Sequence, residues 1–148
     1  MATTYRLRVV TPERVVYDRD VIEIIVRSTE GEIGILAHHM QIITPLVPHI
    51  MTVYDPDGKT EQMAIGGGFL EVQDASTIIL ADSAETADMV DVARAERARQ
   101  RALERINTGS TQSTVDLARA QRSLARAENR LKLTGRDLTR GQPTTTTH

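Results

Sequence analysis

The chain has 148 residues and a formal net charge of −2, and 40% of its residues are hydrophobic but only 3% aromatic. That length suits one core of ordinary size, or a small domain with an appendage. The few aromatic residues argue against a stacking platform for single-stranded nucleic acid. The lack of cysteine excludes disulfides and thiolate chemistry. No apolar run is long enough to span a bilayer and no signal-peptide pattern is present, so we expect a protein made and kept in the cytoplasm.

The first part of the chain, from Tyr5 to Asp82, predicts short β-strands throughout. In the first strand Tyr5, Leu7 and Val9 alternate with polar residues, which places them on one buried face. Turn-forming residues separate the expected strands at 11–13, 18–20, 29–31, 55–58 and 73–75. Many short strands at close intervals are typical of a β-sandwich or flattened barrel.

Prolines and glycines interrupt two of these strands. Pro45 breaks and Pro48 ends the strand that begins at Met40, which predicts an edge strand or a bulge. Three glycines, at 66–68, lie between two β segments. We expect a bulge or a sharp bend there, where the backbone needs positive φ or a close approach.

From Asp88 to Leu133 the pattern changes to that of two amphipathic helices joined by a turn. Seam residues recur at steps of three and four: Val92, Ala95, Arg99, Ala102 and Ile106 in the first helix, and Leu117, Ala120, Leu124, Ala127 and Leu131 in the second. Each set forms one narrow stripe, as in an antiparallel helix pair. Because four of the ten seam residues are alanine and another is Arg99, the pairing is weak, and we expect the arm to need a docking surface that a rival surface could replace.

Polar residues mark the ends of both helices. We expect Asp88 to be the N-cap of the first helix, with Asp91 in its first turn. Residues 107–110, which include Gly109 and Ser110, end that helix and turn the chain. Ser113 with Asp116 has the spacing of a capping box and opens the second helix.

Charge divides the chain in the same place as the secondary structure. Residues 1–86 carry 6 basic and 13 acidic side chains, a net charge of −7, whereas residues 87–136 carry 11 basic and 6 acidic ones, a net charge of +5. A basic arm indicates an acidic partner, which the body itself could supply, although arginines also serve simply to keep outer helix faces hydrated. The predicted fold is α+β: an all-β sandwich at 1–86, an antiparallel two-helix hairpin at 87–135 and a disordered tail at 136–148.

Several segments resemble the epsilon subunit of the bacterial and chloroplast F-type ATP synthase: GEIGIL at 31–36, GGFLEV at 67–72, IILADSAE at 78–85 and RAE at 94–96. The resemblance covers nearly the whole chain. It implies a non-catalytic rotor subunit of the central stalk, which contacts the gamma subunit, the c-ring and the catalytic beta and alpha subunits. It also implies peripheral attachment to the cytoplasmic side of a bacterial cell membrane and a helical arm that extends to inhibit ATP hydrolysis.

The resemblance implies a contact with the rotor ring at Glu32 and His39. After residue 36 the family usually has proline, a small residue and then histidine, whereas here Ala37 and His38 precede His39. In addition, His49 stands where the family commonly has glycine. We expect these differences to affect the shape of the loops rather than the fold.

ATP is the one ligand that the resemblance implies, as a regulator and not as a required cofactor. Residues 90–95 (VDVARA) fit an aliphatic-Asp-x-x-Arg-Ala motif with which some bacterial members bind ATP on the folded arm. The candidate ATP-binding residues are Glu85, Asp91, Arg94, Arg126 and Arg130. Arginine forks suit phosphate oxygens. The competing interpretation is that these arginines are part of solvated stripes, since the seam places them away from the helix–helix contact.

Motifs for catalysis and for metal binding are absent from the sequence. It has no Gly-Lys-Ser/Thr phosphate loop and no Gly-x-Ser-x-Gly elbow. His38 and His39 are adjacent, so on a strand they point to opposite faces, and together with His49 they lack metal-ligand spacing. The alternative is a free-standing module that grips nucleic acid with its basic hairpin in a salt-dependent manner. The few aromatic residues and the interspersed acids argue against it, so we expect no nucleic-acid partner.

Overall fold

The computed structural model describes residues 3–108 and 113–135 and divides the chain into two compact units, one up to Thr86 and one from Ala87 onward. Gly109 and Ser110 of the expected inter-helix turn, and the tail expected at 136–148, lie outside the described residues.

The first unit is built from β-strands, as predicted. They are β1 (Tyr5–Val10), β2 (Val15–Val21), β3 (Glu23–Ser28), β4 (Gly31–Leu36), β5 (Ile42–Tyr54), β6 (Thr60–Val72), β7 (Ser76–Ala81) and β8 (Ala84–Glu85). The strand order is β2-β1-β7-β6-β5-β3-β4, and β8 pairs with β6. β1 and β7 are parallel, while the other pairs are antiparallel.

The inward side chains of the strands meet in one hydrophobic core. Tyr5, Leu7 and Val9 of β1 are all buried in it, which confirms the predicted alternation. The hydroxyl of Tyr5 donates a hydrogen bond to the carbonyl oxygen of Ile35 in β4 at 2.6 Å, and burial raises the pKa of Tyr5. Since β1 and β4 are not neighbours in the sheet order, this bond crosses between two parts of the sheet that pack face to face.

The turn predicted at residues 18–20 is wrong, because β2 runs straight through it. Asp18 and Asp20 lie on the exposed side of the strand, where they pair with Arg8 and Arg6 of β1. Arg6 Nε lies 2.7 Å from Asp18 Oδ1, and Arg6 Nη1 lies 3.6 Å from Asp20 Oδ1. Cross-strand pairs of opposite charge suit an edge strand with one solvated face.

Pro45 and Pro48 do not break β5, and the predicted edge strand is wrong, whereas the predicted alternative, a bulge, agrees with a register shift against β3. β5 is continuous, pairs with β6 along its whole length and lies between β6 and β3, so it is not an edge strand. The irregularity is on the β3 side, where the register shifts between Ile25 and Ser28. The carbonyl of Pro45 accepts a weak hydrogen bond from Thr29 N on that side, at 3.4 Å. The side of Pro45 that lacks an N–H donor therefore faces the irregular ladder, so its absence costs little stability.

The three glycines at 66–68 lie inside one strand, β6, rather than between two strands as expected. Gly67 and Gly68 have φ values of 103° and 134°, which L side chains rarely adopt. A Cβ at Gly68 would overlap the carbonyl oxygen of Leu80 in β7. This confirms that positive φ and a close backbone approach are what require glycine there.

The second unit is a hairpin of two helices, α1 (Val92–Asn107) and α2 (Thr114–Leu133). Its buried residues are Ala95, Ala102, Ala120, Ala127 and Leu131, and all of them lie on the predicted seams. Neither helix, as far as it is described, is long and apolar enough to cross a membrane.

The N-cap of α1 is Asp91 and not Asp88. Asp91 Oδ1 accepts a hydrogen bond from Arg94 N at 3.1 Å, whereas Asp88 lies in a short 3-10 turn at Ala87–Met89. That turn occupies the residues where the first helix was expected to begin, so α1 starts later. The predicted cap of α2 is confirmed, since Ser113 Oγ accepts a hydrogen bond from Asp116 N at 3.1 Å.

Candidate functional site

An apolar strip, formed by Ile43, Pro45, Phe69 and Leu80, crosses the outer face of the sheet. Pro45 of β5 pairs with Phe69 of β6, which pairs in turn with Leu80 of β7, so these side chains lie side by side. The exposed fractions are 73% for Ile43, 54% for Phe69 and 49% for Leu80. Large exposed apolar side chains that adjoin one another mark interaction surfaces more than isolated ones do.

A cleft of about 750 Å³ adjoins the strip at Ile43. It lies between the start of β5 and the β6–β7 turn, where Gln41 Nε2 donates a hydrogen bond to Asp74 Oδ1 at 2.6 Å. Met40, which is 74% exposed, precedes it in the chain. This surface was not predicted from the sequence, although outward positions in the strand alternation, such as Phe69 beside buried Leu70, signal it.

Glu32 and His39, the residues expected to contact the rotor ring, lie at opposite ends of β4. Glu32 is exposed and lies 3.6 Å from Arg27 in an ion pair. His39 is half-buried in the turn after β4, and its Nδ1 lies 2.8 Å from the carbonyl oxygen of Met40. The preceding His38 has a φ of 64°, so this loop contains a residue in the left-handed conformation. Because a strand rises roughly 3.3 Å per residue, Glu32 and His39 are separated by about the length of β4.

His49 is buried in β5, an arrangement that the sequence did not signal. Its Nδ1 lies 2.6 Å from the carbonyl oxygen of Val47, so the ring donates at Nδ1. Its Nε2 is buried and has no hydrogen-bond partner in the described part of the chain. Burial lowers the pKa of His49, and the nearby Arg27 lowers it further.

The candidate ATP-binding residues fall in both units. Glu85 belongs to the first unit, where it pairs with Ala64 through β8 and lines a small cleft of about 400 Å³ together with Arg14. The strand β8 itself was not predicted. Asp91 and Arg94 belong to the second unit and are joined by the N-cap hydrogen bond, so the Asp-x-x-Arg spacing also has a purely structural role.

Two further candidates, Arg126 and Arg130, lie one turn apart on α2. Both are half-buried, in contrast to Arg119 and Arg122, which are exposed on the same helix. Arg126 Nη2 donates a hydrogen bond to Ser123 Oγ at 3.1 Å. In an antiparallel hairpin the start of α1 lies beside the end of α2, so these arginines belong to the same end of the hairpin as Arg94.

The described residues, 3–108 and 113–135, contain no group of three or more His, Asp or Glu side chains placed to hold a metal ion. Two kinds of binding surface are present: an apolar strip on the body and guanidinium groups on the arm.

Two family models match consecutive parts of the chain. One, described as the beta-sandwich domain of the ATP synthase Delta/Epsilon chain, matches residues 4–87. The other, described as the long alpha-helix domain of the same chain, matches residues 88–135.

Individual relatives agree with these models. The ATP synthase epsilon chain of Pelotomaculum thermopropionicum is 47% identical over 103 residues, which is 70% of this chain and 76% of the relative. That of Alkalihalophilus pseudofirmus is 43% identical over 134 residues, which is 90% of this chain and 99% of the relative. They give no support to a free-standing nucleic-acid-binding module.

Solved structures support the fold. A chain in the Euglena gracilis mitochondrial ATP synthase has a TM-score of 0.70 and 24% identity, and the match covers 87% of this chain and 80% of that one. A chain in the central stalk and c-ring structure of the Tetrahymena thermophila mitochondrial ATP synthase has a TM-score of 0.60 and 15% identity over 90% and 98% of the two chains.

Proposed function

The chain belongs to the epsilon-chain family of ATP synthase, a non-catalytic subunit, and from this premise we propose that it is a rotor subunit in the central stalk of a proton-translocating F-type enzyme. In this role the body joins the gamma subunit to the c-ring, and the helical arm extends toward the catalytic beta and alpha subunits to inhibit ATP hydrolysis. The subunit is then held at the cytoplasmic side of a bacterial cell membrane through the complex.

The apolar strip supports the proposed anchorage of the body. Burying exposed apolar area stabilises a complex by roughly 25 cal/mol per Å² before the costs of association. The strip is continuous across three strands and adjoins a cleft, which suits a protein surface of matching shape. We propose that the apolar strip binds the gamma subunit and that Glu32 and His39 contact the c-ring.

The observation that supports the inhibitory role is the small size of the side chains buried between the two helices of the hairpin. Four of the five residues buried in it are alanines, which contribute far less than Leu or Ile to helix association. A change from mostly docked to mostly extended needs about 5.5 kcal/mol of differential binding. An arm with a net charge of +5 can obtain that from an acidic surface through several contacts.

The test of this role is to remove the arm after Thr86, which leaves the first unit and β8 intact. In the assembled enzyme we expect ATP hydrolysis to rise severalfold relative to the enzyme with the full chain. Binding of the truncated chain to the gamma subunit serves as the control, since the body must still be incorporated. An unchanged hydrolysis rate with normal incorporation would rule out an inhibitory arm here.

We also propose that ATP binds the arm as a regulatory ligand, through Arg94, Arg126 and Arg130 with Asp91 and Glu85. Removal of a charge-assisted hydrogen bond to phosphate costs about 1.5–3 kcal/mol, so Arg94→Ala and Arg126→Ala should each weaken ATP binding roughly tenfold or more. Isothermal titration calorimetry measures this on the full chain. Arg122→Ala is the matched control, because Arg122 is exposed one turn before Arg126. Equal affinity in all variants would show that these side chains do not bind ATP.

A further inference from the structure

One charged pair interrupts the alanine seam of the hairpin. Arg99 of α1 lies on the seam between Ala95 and Ala102, which are 3% and 2% exposed. Its Nε lies 3.7 Å from Oε1 of Glu128 in α2, and the two side chains are only 24% and 30% exposed. The pair therefore joins the two helices from within their interface.

The geometry of this pair is poor. A distance of 3.7 Å is too long for a hydrogen bond. The Nε atom of Arg99 is nevertheless shielded from water and has no hydrogen-bond partner among the described residues. The guanidinium group has thus lost hydration at Nε without gaining a bond there, and the attraction to Glu128 is Coulombic only.

A partly buried ion pair of this kind opposes closure of the hairpin. Desolvation of two charges is compensated only when the geometry is good and the remaining donors are satisfied, and replacing such pairs by apolar side chains is often stabilising. Alanine neighbours add little to offset this cost. We propose that Arg99 and Glu128 form a built-in weak point, which lowers the free energy needed to separate α1 from α2.

The consequence for regulation rests on the proposed function. If the arm inhibits hydrolysis by opening, the pair keeps a population of open hairpins available to a rival surface. The weak point itself is a property of the isolated chain, so it can be measured without the rest of the enzyme.

The test is amide hydrogen exchange, followed by mass spectrometry, on the full chain and on the double variant Arg99→Leu/Glu128→Leu. Because separate helices of this length are marginal in water, separation exposes their amides to exchange. Leu, Arg and Glu have similar helix propensities, so the substitution changes the interface rather than the helices. We expect exchange in α1 and α2 to slow about tenfold or more in the double variant.

Two further variants sharpen the result. Glu128→Gln leaves the guanidinium group of Arg99 without its countercharge, and exchange should become severalfold faster. Arg101→Leu/Gln121→Leu adds two leucines at exposed positions of the same helices and should change exchange less than twofold. Unchanged or faster exchange in Arg99→Leu/Glu128→Leu would overturn the proposal. Slower exchange with unaltered inhibition in the assembled enzyme would instead uphold the weak point and count against opening of the hairpin as the step that leads to inhibition.

Discussion

His49 shows how one buried side chain makes stability depend on pH. Burial holds its pKa below the ordinary value of 6.5, because the charged ring would lose hydration. As the pH falls below about 6.5, the unfolded chain takes up a proton that the folded chain does not, so the free energy of unfolding decreases. The decrease ends once the pH is below the folded pKa, and above about 6.5 both states are neutral.

We therefore predict that His49→Asn removes this part of the pH dependence. Urea unfolding of the full chain at about pH 8 and about pH 5.5 gives the loss of stability on acidification, which should be smaller in His49→Asn than in the parent chain. His38→Asn is the control, since His38 is exposed and its left-handed backbone tolerates Asn. An equal loss in His49→Asn would mean that His49 does not contribute.

The structural role of a single residue could be predicted from the sequence only where local steric constraints determine it. The need for glycine at 67 and 68 is of this kind, because a run of glycines within a β segment usually means positive φ or a close backbone approach. The burial of His49 could not be predicted, since it depends on where β5 is placed among its neighbours. Likewise, Asp18 and Asp20 look like turn residues until Arg6 on the paired strand is known.

At the scale of elements, the N-cap of α1 gives a direct test. Loss of a capping side chain typically costs about 1 kcal/mol, so Asp91→Ala should speed amide exchange in α1 roughly fivefold. Asp91→Asn should preserve the rate, because Asn caps a helix about as well as Asp. If both variants accelerate exchange equally, the hydrogen bond from Arg94 N to Asp91 Oδ1 is not the source of the stability.

The elements that were predicted well are those whose signal is local. The seams of α1 and α2 follow from spacing within each helix, and Ser113 follows from its position before one. The continuity of β5 and β6 was missed because Pro45 and the glycines at 66–68 are local breakers, whereas their tolerance comes from pairing between distant strands. The start of α1 was misplaced because the 3-10 turn at Ala87–Met89 has no clear sequence signal.

At the scale of the whole molecule, the two units differ in how they are held together. The first has one core of large apolar side chains from seven strands, such as Leu7, Ile24 and Ile79. In the second, four of the five buried side chains are alanines. The alternation of apolar residues in the first part and their steps of three and four in the second made the fold class predictable, and the change of net charge from −7 to +5 marks the same boundary. The apolar strip was missed because it requires the register of three strands.

In the proposed function, the body of this epsilon-family chain attaches to its partner through the apolar strip. If the apolar strip docks on the gamma subunit, Phe69→Glu should weaken the complex at least about tenfold, because a carboxylate must then be desolvated at the centre of the contact. Sedimentation of the full chain with purified gamma subunit measures this. Tyr54→Glu is the matched control, because Tyr54 is an exposed aromatic residue on β5 and lies about 30 Å along the strand from Pro45, the residue that pairs with Phe69. Apolar contact further implies that moderate salt leaves binding nearly unchanged. Normal binding by Phe69→Glu, or an equal loss of affinity in Tyr54→Glu, would show that the body does not attach through the strip.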